Sequence, residues 1–312
     1  MKFYKLILFG GNRLLELAPF GQLIKYLRKK NIKFLVITDK THLEKKITKS
    51  KNFKQLLIKE KIVYKSYKKI KLENIKKYID KTTIGLSLNA IWKFDKKLIK
   101  YFKGNLYNYH AGDLPSERGA GVISWRIMLQ KKSHLSINIH KVSAHFDMGD
   151  IVLSKKIKTN KKDLLPFEHL KNQLGFEEKF LQNFINTILS KKKLLNRKQL
   201  NKNSYYWPRL NSKIHGKINW NWAAKDIVLF IKAFSIPFDG SYSFIGKKRI
   251  RIYNAKFNRS KIRFHPYQNG IIYKIENNKF FISNVKNYIT INLKDTNLEL
   301  EDFHQFLGKR FK

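Results

Sequence analysis

The feature that most restricts the fold is an alternation. Short, continuously apolar runs take turns with segments whose apolar residues recur at helical spacing. Lys5–Gly10 (KLILFG), Phe34–Thr38 (FLVIT), Ile62–Tyr64, Thr83–Leu88 (TIGLSL) and Leu106–Tyr109 are the runs. Glu16–Lys29, Phe53–Lys59, Ile70–Ile79 and Asp95–Tyr101 are the helical segments between them. Strands apolar on both sides, each followed by a helix, predict a parallel sheet covered on both faces. Ligands in such sheets sit at the carboxyl ends of the strands.

One strand end carries chemistry. In Leu106–Ile127 (LYNYHAGDLPSERGAGVISWRI), Asn108 and His110 alternate with Tyr107 and Tyr109, so both polar side chains fall on one side of the strand. The run breaks at Ala111-Gly112-Asp113 and Leu114-Pro115. Gly119-Ala120-Gly121 and a helical pattern from Val122 follow. A polar pair at a strand tip beside a small-residue loop is what a reactive site needs. Gly10-Gly11-Asn12 after the first strand is not a G-x-G-x-x-G fingerprint and reads as a tight strand-to-helix turn. Further on, Ser136–Val142 alternates as a strand. Phe146-Asp147-Met148-Gly149-Asp150 then forms a glycine turn before another strand, Ile151–Leu153. A carboxylate in such a turn either caps it or holds the histidine. His140 and His145 have no comparable context and read as structural.

Composition limits the partners. The chain has no cysteine, which removes disulfides and thiolate metal sites and fits a reducing cytoplasm. No apolar run approaches the roughly 20 residues needed to cross a bilayer, so no membrane insertion is expected. The start, MKFYKLILFGG, lacks a signal-peptide cleavage pattern and reads as the first strand. A net charge of +44 suits nucleic acid or phosphorylated ligands. Its spread over the whole chain, in a Lys-, Ile- and Asn-rich composition, equally suits an A- and T-biased genome, and both readings stay open.

Asn108-x-His110, Leu114-Pro115, Arg118-Gly119 and Asp147-Met148-Gly149-Asp150-Ile151, in this order, resemble the formyltransferases that use 10-formyltetrahydrofolate. That family includes methionyl-tRNA, glycinamide ribonucleotide and sugar-nucleotide formyltransferases. Pro208-Arg209, Asn219-Trp220, Ile231-Lys232-Ala233-Phe234 and Pro237-Phe238-x-Gly240 resemble the start of its C-terminal domain. The resemblance runs from about Leu6 to the end, and is strongest over 105–153 and 205–257.

It implies an α/β fold: a Rossmann-like catalytic domain over 1–190, a linker over 191–204, and a C-terminal domain over 205–312 with a helix and a small OB-like β-barrel. Five strand-like runs after Gly240 agree with the last. Such a barrel either contacts tRNA or only braces the catalytic domain; Tyr273, Phe280 and Phe281 read as core.

The resemblance also implies roles. Asn108 and His110 donate to the oxygen that turns negative as an amine attacks a formyl carbon, and Asp147 orients the histidine. Leu114, Pro115, Arg118 and Gly119 shape the loop beside them. Leu88, Asn89, Ala90, Ile91, Val142, Ala144 and Asp147 contact the folate. The co-substrate is 10-formyltetrahydrofolate, and no metal is expected. The acceptor leans toward a nucleotide-linked amino sugar, with initiator methionyl-tRNA as the alternative. A basic nucleic-acid-binding protein without catalysis is the rival of a different class. Nothing in the sequence fixes an oligomeric state. Departures gather around the loop: Ala111-Gly112-Asp113 replaces the family's Ser-Leu-Leu, and Gly119-Ala120-Gly121-Val122-Ile123 replaces its usual G-A-A-P-I.

Overall fold

A computed structural model describes residues 4–10, 19–44, 52–90, 92–130, 134–158, 165–200 and 202–312. Strands and helices follow the chain as β1 (Leu6–Gly10), α1 (Pro19–Lys29), β2 (Phe34–Thr38), α2 (Lys40–Glu44), α3 (Phe53–Lys59), β3 (Tyr64–Ser66), α4 (Leu72–Ile75), β4 (Ile84–Leu88), α5 (Lys96–Tyr101), β5 (Leu106–Ala111), β6 (Arg118–Gly119), α6 (Val122–Met128), β7 (His134–Lys141), β8 (Ile151–Lys158), α7 (Pro166–Leu189) and β9 (Tyr206–Trp207). Then come α8 (Ser212–His215), α9 (Ala224–Ala233), β10 (Ser241–Ile245), β11 (Lys248–Ile252), β12 (Lys256–Arg259), β13 (Ile272–Glu276), β14 (Lys279–Asn284) and β15 (Asn287–Asn292). The Gly11-Asn12 part of the expected turn, residues 16–18 of the first helical segment and Ile91 lie outside the described residues.

Two units divide the chain. The first is Met1–Gly119, His134–Thr159 and Lys171–Tyr206; the second is Ala120–Ser133, Asn160–Leu170 and Trp207–Lys312. The second unit therefore includes, besides the C-terminal part, two segments from within residues 1–190.

The first unit is built on a seven-stranded sheet in the order β3-β2-β1-β4-β5-β7-β8. Its pairs from β3 to β5 are parallel. The expected parallel sheet is thus correct for five strands and not for β7 and β8, which run antiparallel. The turn over 142–150 folds β8 back on β7 as a hairpin, and a hairpin can only be antiparallel. Period-2 alternation splits the apolar runs between two cores. Leu6 and Leu8 pack with Leu23, Leu27, Phe53 and Leu57 on one face. Ile7 and Phe9 pack with Ile75, Leu98 and Phe102 on the other. Each such side chain, fully buried, contributes roughly 1.5–3 kcal/mol. Side chains set helix starts: Asn52 forms a capping box with Gln55 at α3, and Asp95 accepts the Leu98 N–H at 2.7 Å at α5. The helix expected over Ile70–Ile79 is only the single turn α4 followed by a 3₁₀ turn. The strand expected at Ile62–Tyr64 is shifted to Tyr64–Ser66.

In the second unit α6 packs on α9, where the Ser124 hydroxyl donates to the Ala233 carbonyl at 2.7 Å. Six strands form a β10–β11 hairpin and a four-stranded antiparallel sheet in the order β12-β15-β14-β13. The expectation of five strands in one small barrel gives way to these two sheets. The Lys-, Asn- and Arg-bearing β12 (KFNR) was invisible to a search for apolar alternation. Phe280 is fully buried and stacks on Phe303, as a core reading requires; Tyr273 is exposed beside Phe281 and Tyr288.

Candidate active site

Period-2 alternation in β5 separates scaffold from chemistry. Tyr107 packs edge-on to Phe184 of α7, and Tyr109 donates to Glu177 of the same helix. Asn108 and His110 therefore face the opposite side of the sheet. The antiparallel neighbour β7 sets His140 directly opposite Asn108. A structural reading of His140 is thus replaced by a place in the site. The signal for it was the pairing register, which needs the direction of β7 to be known.

Asp147 comes from the turn after β7 and joins these groups. Asn108 Nδ2 donates to its Oδ1 at 3.1 Å, and the Gly119 N–H donates to its Oδ2 at 2.8 Å. His140 Nε2 lies 3.1 Å from Asn108 Nδ2 and 3.2 Å from Asp147 Oδ1. His140 Nδ1 lies 2.8 Å from the Lys141 carbonyl, which can only accept, so that nitrogen carries the proton. In neutral His140, Nε2 is then an acceptor for the Asn108 amide.

His110 is buried, and its Nε2 lies 2.6 Å from the Glu117 carbonyl, so its N–H is there. Its Nδ1 faces Asp147 Oδ2 at 3.7 Å, an electrostatic contact outside hydrogen-bond range. Hence the neutral imidazole offers a lone pair at Nδ1, in place of the expected N–H donor. Burial pushes its pKa down; Asp147 and the Glu117 carbonyl pull it back up without cancelling that. Burial alone would raise the pKa of Asp147. The positive charge that His110 takes on in acid, the His140 imidazole alongside and the Gly119 N–H outweigh burial and hold the carboxyl well below the usual range.

The departing loop is closed by its own residues. The Asp113 N–H donates to Glu117 Oε2 at 2.8 Å, the Glu117 N–H donates to the Asp113 carbonyl at 2.6 Å, and the Asp113 carboxylate meets His134 at 3.1 Å and Ser136. Leu114–Pro115 is a cis peptide in this loop, and both residues are half-buried. Arg118 is buried, donating to Gln199 and to Ser204, while Gly119 supplies the amide on Asp147. Of the expected folate contacts, Leu88 belongs to a buried core cluster. Asn89 is exposed with a left-handed backbone, and Ala90 and Val142 pack on one shared cluster. Ala144 is half-buried in the turn that bears Asp147, and Ile91 lies outside the described residues.

Gly149 makes the turn possible. A Cβ there would fall 1.8 Å from the Lys141 carbonyl oxygen, inside the backbone that starts the hairpin. Gly149→Ala is expected to cost at least ~2 kcal/mol, because the clash is with main chain that has no rotamer to move. Thermal unfolding would show it, and unchanged stability would contradict the close approach.

The second unit holds a pocket of about 480 Å3 walled by Trp125, Trp222, Phe230 and Phe234, with Arg209 and His215 at its lining. Trp125 donates Nε1–H to the Pro208 carbonyl and packs on Trp207. His215 Nδ1 accepts the Asn211 N–H at 2.9 Å, which leaves its other nitrogen as a donor when neutral. Among the described residues no cluster of three or more His, Asp or Glu can hold a metal, and no helix is long and apolar enough to cross a membrane.

Known proteins resemble this chain in sequence and in fold. Residues 211–304 match the formyl transferase C-terminal domain. The chain is 26% identical over 171 residues to the bifunctional polymyxin resistance protein ArnA of Wigglesworthia glossinidia brevipalpis, covering 55% of this chain and 25% of that protein. It is 29% identical over 209 residues to the methionyl-tRNA formyltransferase of Prochlorococcus marinus, covering 61% of each. The chain thus spans between a quarter and about three-fifths of these relatives. Among solved structures, the Helicobacter canadensis N-formyltransferase in complex with folinic acid and dTDP-3-aminofucose superposes with a TM-score of 0.67 at 21% identity, over 93% of this chain and 99% of that one. WlaRD, a sugar 3N-formyltransferase, superposes with a TM-score of 0.66 at 19% identity, over 96% and 100%. The chain thus resembles formyltransferases, in sequence over 211–304 and in fold over most of its length.

Proposed function

We propose that this protein transfers a formyl group from 10-formyltetrahydrofolate to a primary amine, at the site formed by Asn108, His110 and Asp147. The observation that carries the reading is the joint hold of Asn108 and the Gly119 amide on one largely buried carboxylate, flanked by two imidazoles. The amine nitrogen attacks the formyl carbon, and the carbonyl π pair moves to oxygen. Asn108 keeps one N–H on Asp147 and turns the other from His140 to that oxygen. Asp147 stabilises the positive charge growing on the attacking nitrogen. His110 Nδ1 takes the proton that this nitrogen sheds, and Asp147 then pairs with the imidazolium. As the C–N bond to the folate breaks, N10 leaves with that proton. The net change moves formyl one way and a proton the other.

The acceptor we favour is a nucleotide-linked amino sugar. The nearly full-length match in fold to sugar formyltransferases supports it. The match to methionyl-tRNA formyltransferases supports the second reading, initiator methionyl-tRNA. Purified protein with 10-formyltetrahydrofolate, offered a panel of nucleotide-linked amino sugars and separately charged initiator tRNA, distinguishes them. A sugar preference of at least ~10²-fold in kcat/KM is expected. The reverse preference assigns the tRNA. No formylation of either, together with RNA binding, would leave the noncatalytic nucleic-acid-binding reading.

A further inference from the structure

We propose that Gln199 is a positioning residue for Asp147, acting with Arg118 to hold the turn that carries the carboxylate; this rests on the formyl-transfer reading above. Asp147 is a non-glycine residue at φ +52°. A left-handed backbone is strained for such a residue, so the surroundings must hold it there.

Gln199 is placed to do so. Its Nε2 donates to the Asp147 carbonyl at 2.8 Å and to the Gly149 carbonyl at 2.7 Å, so one amide nitrogen spans both ends of the turn. Its Oε1 accepts from Arg118 Nε at 3.2 Å and from the second guanidinium nitrogen at 3.1 Å. These partners fix the amide in one orientation, because a flip would set NH₂ against guanidinium and oxygen against two carbonyls. The bracing pair is itself anchored. Arg118 donates from its remaining guanidinium nitrogen to Ser204 at 2.6 Å, and its backbone N–H donates to Tyr205 at 3.1 Å. Arg197 exchanges two backbone hydrogen bonds with Ile151, at 2.9 and 3.0 Å, which tacks the Gln199 segment to the start of β8. Gln199 is half-buried while its immediate neighbours Lys198 and Leu200 are exposed. The polar segment read from sequence as a linker therefore reaches into the site through one side chain.

The carboxylate would feel the loss. Asp147 is met by His110 from β5, His140 from β7, and the Gly119 amide and the Arg118 charge from β6. A relaxed turn moves it away from these supports. The test compares wild type with Gln199→Met, which keeps bulk and removes both ends of the brace, and with Leu200→Ala, whose side chain is 73% exposed.

For Gln199→Met, kcat is expected to fall about 10–100-fold, as misplacement of a reacting group by around an ångström does, while KM for 10-formyltetrahydrofolate changes little. The acid limb of its kcat–pH profile, set by His110 as the base, should move to lower pH, because the carboxylate that pulls the His110 pKa up is displaced; general loosening of the fold does not produce that change. Leu200→Ala should match wild type. Wild-type kcat and pH profile in Gln199→Met would overturn the proposal, and so would an equal fall in Leu200→Ala. Asp147→Asn serves as the reference: if it keeps full activity, the catalytic reading fails; if it is inactive while Gln199→Met is unaffected, only the brace fails.

Discussion

Asp147→Asn is expected to give a folded protein whose kcat for formyl transfer is lowered by roughly three orders of magnitude. The substitution preserves size, and the amide oxygen can still accept one of the two N–H groups now on the carboxylate. What disappears is charge. In the native site burial disfavours that charge, and His110, His140 and the Gly119 N–H more than offset the penalty. An amide cannot stabilise a cationic nitrogen or an imidazolium as a carboxylate does. Its NH₂ would also face either the Asn108 amide or the Gly119 N–H, donor against donor. Single-turnover formylation read by mass spectrometry, beside circular dichroism of the same sample, separates loss of chemistry from loss of fold. Activity within tenfold of wild type would remove Asp147 from the mechanism.

How much of this was legible in the chain depends on where each force acts. The interior strands β1, β2 and β4 were readable because an interior strand is buried on both faces and its whole run must be apolar, as in LILFG and FLVIT. Asn108 and His110 were readable because two residues apart on a strand means one side. The glycine turn marked a carboxylate and the family resemblance named Asp147, yet its partners could not be read. Gly119 meets it through a backbone amide, which any residue type supplies. Glu117 meets His110 through its carbonyl. A sequence advertises side chains, and half of this site is main chain.

His140 and Gln199 were missed for a different reason. Each has a modest local context and acquires its partners through register: His140 by lying opposite Asn108, Gln199 by the pairing of Arg197 with Ile151. Register depends on strand direction, and the reversal at β7 had no mark in the apolar pattern. The same limit hid β12, whose KFNR finds its partner in β15 only through the register of the sheet. The six strands of the second unit thus form two sheets where the pattern suggested one barrel.

The second large effect concerns His110 and acid. Removal of the imidazole in His110→Gln is expected to lower kcat by about 10²–10⁴-fold, the span usual for a lost acid–base group. It should also change how stability depends on pH, and the sign is fixed by the structure. Burial lowers the folded-state pKa of His110 below the ordinary value of about 6.5. Between those two values the unfolded chain binds a proton that the folded one does not. Folding stability is therefore full above pH ~6.5 and is lost as pH falls from there toward the lowered value.

Asp147 works the same way in a lower window. Its depressed pKa gives stability that is present above pH ~4 and lost below it, so the two contributions do not overlap near neutrality. His169 in the second unit is half-buried and also has a lowered pKa, but it is unchanged by the substitution. The difference between the wild-type and His110→Gln melting curves across pH 7 to 5 therefore isolates His110. Wild type should lose more thermal stability on acidification than the variant. The Gln side chain, with an N–H able to reach for the Glu117 carbonyl, keeps the loop closed at both ends of that range. Parallel curves would mean that the imidazole is protonated in the fold, and a neutral proton acceptor at Nδ1 would then have no basis.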